Sequence, residues 1–110
     1  KRPLIYSTAL PKKVTLYQKK FGSKISSKIE TLFQKINKNI YKYNFNKIVC
    51  AGGETSGAIV KALMIKELQI GEEISAGVPV MWEPEKNIKI TLKSGNFGQK
   101  DFFSRALKKL

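Results

Sequence analysis

The residues of this chain best suited to chemistry are glycines and hydroxyls, arranged twice in the same way. Ala51-Gly52-Gly53-Glu54-Thr55-Ser56-Gly57 follows the apolar run Ile48-Val49-Cys50 and precedes a helix-like run from Ala58 to Leu68. Lys93-Ser94-Gly95-Asn96-Phe97-Gly98 follows Ile88, Ile90 and Leu92, and opens into a helix from about Asp101 through Phe102, Phe103, Ala106, Leu107 and Leu110. A strand that ends in glycines and turns into a helix builds an anion site. The backbone there approaches a ligand closely, and the first free N–H groups and the positive end of the helix dipole face it. Phosphate is the usual occupant. The plain alternative is a tight strand-to-helix turn with Thr55 or Ser56 as N-cap. Neither loop is a Walker A, since no lysine follows a glycine before Ser or Thr in the required frame, and neither has the spacing of a dinucleotide fingerprint.

Other chemistries are poorly supplied. The sequence has no histidine, which removes the commonest zinc ligand and the commonest general base, so no metal ligands are expected among its side chains. Its single cysteine, Cys50, excludes a disulfide within the chain and reads as a buried strand residue, not as a nucleophile. At 110 residues the chain is one domain with a single modest core. No apolar run approaches the roughly 20 residues of a membrane helix, and the N-terminus lacks the apolar stretch of a signal peptide. The expectation is a soluble, cytoplasmic protein with no membrane partner. The chain begins at Lys1 without an initiator methionine, which reads as a piece of something longer.

The formal charge of +13 is uneven: residues 1–47 carry 12 basic and 1 acidic side chain, residues 48–110 carry 9 and 7. Such a field attracts nucleic acid, membrane phosphates or small polyanions. Arg2 and Arg105 are the only arginines, so the fork geometry that reads guanine edges is nearly missing.

The elements that must position the loops follow from periodicity. Pro3-Leu4-Ile5-Tyr6-Ser7 reads as a short strand closed by a turn ending at Pro11. A helix is expected from Lys12 to about Lys20, with Gly22 as its C-cap and Ser23 as an N-cap for the next. In that second helix Ile25, Ile29, Leu32, Phe33, Ile36, Ile40 and Tyr43 fall within a stripe of roughly 100°, a face made to pack on something flat. Lys24, Lys28, Lys35, Lys38 and Lys42 form a ridge along its flank, either a phosphate-tracking surface or a solvated face without stacking aromatics. Lys47 to Ala51 is the strand feeding the first glycine loop. The helix after that loop is apolar on most of its circumference and should be sandwiched. Gly77 and Pro79 argue for a shaped loop over residues 74–82, and Trp82 either packs on the core or forms part of a ligand wall. Ile88 to Lys93 alternates as a strand with one wet face. The fold class is α/β, a mainly parallel sheet with flanking helices, whose glycine loops at the strand-to-helix turns emerge on one edge and form a nucleotide site.

Taken together, Ala51 to Gly57, Ile74-Ser-Ala-Gly-Val-Pro79, and Leu92 to Gly98 with Asp101-Phe-Phe103 resemble, in order and spacing, the C-terminal nucleotide-binding domain of the four-carbon acid sugar kinase family. The resemblance covers essentially the whole chain. It departs where Ser75-Ala76 replaces the family's Asp-Pro before Gly-Val-Pro, and where Val80 replaces the tryptophan after it. What it implies is that residues 1–110 are the nucleotide-binding domain of a longer two-domain kinase, whose N-terminal domain holds the sugar acid and is the domain's partner. The implied reaction moves the γ-phosphoryl of ATP, with Mg2+, to the terminal hydroxyl of 3-oxo-tetronate, or else of threonate or erythronate. The implied nucleotide site is Gly52, Gly53, Glu54, Thr55, Ser56 and Gly57 with Gly95, Asn96 and Gly98, where Gly53, Thr55 and Ser56 cradle phosphate oxygens. Glu54 needs a ribose hydroxyl, a magnesium-bound water or a lysine such as Lys93 beside it. The catalytic base is assigned to the other domain, and the fragment alone is expected to be inactive. The rival reading is a small basic nucleic-acid-binding module that uses the lysine ridge.

Overall fold

The computed structural model describes residues 2–22, 24–95 and 98–110. Four strands form one mixed sheet: β1 (Lys47–Ala51), β2 (Gln69–Ser75), β3 (Val78–Glu83) and β4 (Ile88–Lys93), in the spatial order β1-β4-β3-β2. Only β1 and β4 run parallel, in the register Lys47 to Lys89 through Ala51 to Lys93; β3 is antiparallel to β4, and β2 to β3. The α/β class with flanking helices is as expected, but the parallel part is confined to the pair that carries the glycine loops. The expected loop over residues 74–82 is a hairpin instead. Gly77, at φ 72°, supplies the left-handed residue of a two-residue turn, and its N–H donates to Glu73 Oε1 over 3.1 Å.

Four helices complete the fold: α1 (Pro11–Phe21), α2 (Ile25–Lys38, followed by a 3-10 turn over Ile40–Tyr43), α3 (Gly53–Ala62) and α4 (Phe102–Lys109). Alternation along the strands sorts the core onto two faces. Ile48, Cys50, Ile88 and Ile90 pack with Ile59 and Leu63 at α3. Val49, Val80, Val78 and Ile74 pack with Phe102 and Ala106 of α4. The helix α3 is sandwiched between the sheet and α2, as its apolar circumference requires. The apolar face of α2 therefore packs on a helix and not on the sheet. Ile88 and Ile90 are fully buried in the central strand, each contributing about 1.5–3 kcal/mol of burial.

Three further expectations are corrected. The face of β4 expected to be wet is wet only at Lys89: Thr91 is fully buried and its hydroxyl donates to the Pro79 carbonyl at 2.9 Å, on the side of the sheet that α4 packs. Trp82 is 41% exposed and pairs with Lys89, near the start of β4 and toward the sheet end remote from the glycine loops. It neither fills the core nor lines those loops. Residues 2–10 form no strand, since a lone extended segment has no ladder to join. The N-cap assigned to Ser23 lies outside the described residues.

Candidate functional site

The two glycine loops leave adjacent parallel strands, so they lie side by side. The Gly52 N–H donates to the Lys93 carbonyl at 2.7 Å and ties the end of β1 to the end of β4. Gly52 sits at φ 114°, ψ 129°, a conformation L side chains rarely adopt, and it is the N-cap of α3. That helix thus starts at Gly53 and not near Ala58: Gly53, Glu54, Thr55, Ser56 and Gly57 are its opening residues, and neither Thr55 nor Ser56 is a cap. The first N–H to find an acceptor inside the helix is that of Ser56, on the Gly52 carbonyl at 2.8 Å. The N–H groups of Gly53, Glu54 and Thr55 have no acceptor among the described residues, and helix geometry directs them out of its N-terminal end. An ideal Cβ on Gly53 would stand 3.5 Å from Ser94 Oγ, so the missing side chain leaves the gap between the two loops open.

The helices that follow these two strands pack on opposite faces, α3 against the Ile48 and Cys50 side and α4 against the Val49 side. That is a topological switch point, and the crevice outside the carboxyl ends of such strands is where open α/β sheets bind ligands. The Ala76-Gly77 turn of the hairpin comes to the same end of the sheet, because β3 begins beside the end of β4. All three stretches that carried the sequence reading therefore converge.

The second loop is held from beneath. Lys93 Nζ donates to the Gly95 carbonyl at 2.8 Å and lies 5.9 Å from the centroid of the Phe102 ring. Gly98, at φ 92°, closes over this side chain: a Cβ there would stand 2.9 Å from Phe102 Cδ2 and 3.2 Å from Lys93 Cε. Sequence reasoning placed Lys93 in the second loop and as a counter-charge for Glu54, and missed it as the pin of that loop. The available signal was a lysine on the face of β4 that turns toward Phe102, two residues before a glycine. Asn96 lies outside the described residues.

Ser56 is the site residue that the structure turns away. It is buried, and its hydroxyl donates to Cys50 Sγ at 3.4 Å, so it faces the core and not the open end of the helix. Gly57 lies on the exposed side of α3, with nothing within 4 Å of where a Cβ would stand. Glu54 is exposed in the first turn of α3, where its charge suits the helix dipole. Burial pushes the Cys50 thiol up from its ordinary pKa, with the Ser56 hydrogen bond opposing, which keeps it protonated and unreactive. The lysines of the ridge are all exposed along α2, and no described hydrogen bond or ion pair joins them to the glycine loops. No cluster of three metal-ligating side chains occurs among the described residues, and no helix is long and apolar enough to cross a membrane.

Residues 1–103 match the family described as the nucleotide-binding C-terminal domain. The chain belongs to that family. The 3-oxo-tetronate kinase of Pseudomonas savastanoi pv. phaseolicola is 43% identical over 109 residues, which cover 97% of this chain and 25% of that protein. The 3-oxo-tetronate kinase of Pectobacterium atrosepticum is 39% identical over 107 residues, 96% of this chain and 25% of that protein. The crystal structure of Haemophilus influenzae protein HI1011 superposes with a TM-score of 0.86 at 37% identity, over 92% of this chain and 25% of that one. The resemblance drawn from the three motifs thus holds at the level of the family. The chain spans about a quarter of the length of the relatives it matches.

Proposed function

We propose that this chain is the ATP-binding domain of a kinase that phosphorylates a four-carbon sugar acid, 3-oxo-tetronate before threonate or erythronate. The observation that carries the reading is the trio of unpaired N–H groups, Gly53, Glu54 and Thr55, facing an open switch-point crevice. Family membership and the names of the curated relatives support it.

Phosphoryl transfer asks mainly for positioning and for neutralisation of charge on phosphate oxygens. Three convergent N–H donors at a helix N-terminus can donate to those oxygens without reorganising, and Gly53 lets them approach because no side chain intervenes. Gly95, whose carbonyl Lys93 holds, and Gly98 stand on the second loop and would close over the nucleotide from the other side. Glu54, exposed in the first turn of α3, would hold the Mg2+ that accompanies the nucleotide, and the ion would supply positive charge to offset that of the phosphates. The sugar acid and the base that activates its hydroxyl belong to the rest of the longer protein.

The test is transfer of labelled γ-phosphoryl from ATP by the longer protein that carries this domain, offered each of the three acids. Label on 3-oxo-tetronate is the expected result. Nucleotide binding with none of the three accepting label would overturn the substrate class.

A further inference from the structure

Residues 2–21 are at odds with the rest of the domain. Leu4, Tyr6 and Leu10 are 70%, 73% and 72% exposed, and no residue of α1 is buried. None of the described hydrogen bonds or ion pairs involves residues 2–9. On α1 and its cap, Leu10, Val14, Tyr17 and Phe21 fall within a stripe of roughly 60° at 100° per residue, and the Tyr17 and Phe21 rings lie tilted against each other with centroids 6.3 Å apart. Lys13 and Lys20 line one edge of that stripe, and Lys12 and Lys19 occupy the opposite face. An amphipathic helix of 11 residues is marginal in water without a surface for its apolar face. Its own domain offers little beyond the neighbouring α2, leaving Val14, Tyr17 and Phe21 39%, 41% and 51% exposed. The radius of gyration, 14.7 Å against the roughly 13 Å of a compact domain of this length, records the same protruding segment.

We infer that residues 4–21 form a docking surface for the other domain of the longer kinases, the three quarters of the relatives that this chain does not cover. The length of polypeptide outside the match, about three quarters of each relative, supplies a partner large enough to cover the segment. The chemistry of the partner surface follows from complementarity. An apolar stripe bordered by lysines fits an apolar patch bordered by carboxylates, and contiguous exposed apolar residues with a polar rim are the mark of such interfaces. The surface is separate from the nucleotide crevice, so the inference does not depend on what that crevice binds.

The experiment joins this chain to the Pseudomonas savastanoi kinase in place of that enzyme's own matching quarter and reads amide hydrogen exchange without nucleotide. Slow exchange across β1 and β4 verifies that the domain is folded. Residues 4–21 should exchange as an open segment in the 110-residue chain alone and be protected at least tenfold in the fusion. Leu10→Glu with Tyr17→Glu should abolish that protection while β1 and β4 stay protected. Should the fusion not fold, the same exchange is read on the 110-residue chain mixed with the separately produced remainder of the Pseudomonas enzyme, with the same expectation. Fast exchange of residues 4–21 with the partner present would overturn the inference. So would protection in the chain alone that grows with concentration, because a second copy would then be the occupant.

Discussion

Gly52, Gly98, Ser56 and Cys50 are the positions where a single atom decides the outcome. A side chain at Gly98 meets Phe102 Cδ2 at 2.9 Å from a backbone already at φ 92°, so Gly98→Ala should cost about 1–3 kcal/mol or force the loop open. Thermal unfolding and nucleotide titration of the variant should both shift. Gly53 differs. Its Cβ would make an ordinary 3.5 Å contact with Ser94 Oγ, so Gly53→Val should fold normally and lose nucleotide by filling the gap. Ser56→Ala should show the reverse pattern, losing roughly 0.5–1.5 kcal/mol of stability with nucleotide affinity unchanged, because its hydroxyl serves Cys50. Cys50 itself titrates. Its folded pKa is raised, so the stability it confers is complete below the unfolded thiol value, about 8.5, and is lost as pH rises through the folded value. Denaturant midpoints of the native chain should fall as pH rises above about 8.5 by more than those of Cys50→Ala.

Among the elements, α3 carries a correctable flaw at its C-terminal end. Met64 is forced to φ 51° in the turn where Ile65 N–H reaches back to the Val60 carbonyl, a position that favours glycine. Its side chain is 72% exposed, so Met64→Gly gives up little packing and should stabilise the domain by roughly 0.5–1 kcal/mol in chemical denaturation. The same helix marks the limits of reading the sequence. Strand β1 was legible to the residue, because Ile48, Val49 and Cys50 are apolar on both faces and lead into glycines. The start of α3 was not, because Gly53 and Gly57 look like loop residues, and only the geometry of Gly52 as cap shows where helical bonding begins. The parallel pairing of β1 with β4 followed from their shared strand-to-helix design. The hairpin of β2 and β3 was hidden because Ala76-Gly77 lies among residues too short and too interrupted by Pro79 to show a period of two. Residues 3–7 have the composition of a strand, but a strand is a pairwise object and no described neighbour completes it.

At the scale of the whole molecule, charge and site are separate. The lysine ridge lies along α2, the outermost helix on its face of the sheet, and the proposed phosphate site lies at the switch point between β1 and β4. Lys28→Glu with Lys35→Glu should therefore change nucleotide affinity by no more than about twofold at low salt, and the difference should vanish as salt screens it. A large loss that persists in high salt would place the ridge in the site. The most direct test of the central claim, that nucleotide phosphates sit on the N–H groups of Gly53, Glu54 and Thr55, is an amide-resolved NMR titration of the 110-residue chain with ATP and Mg2+. The account predicts that the amides of Gly52 to Thr55 move most, that Gly95 and Gly98 follow, and that Lys28 and Lys35 stay still. Saturable shifts confined to α2, with Gly53, Glu54 and Thr55 unmoved, would contradict it.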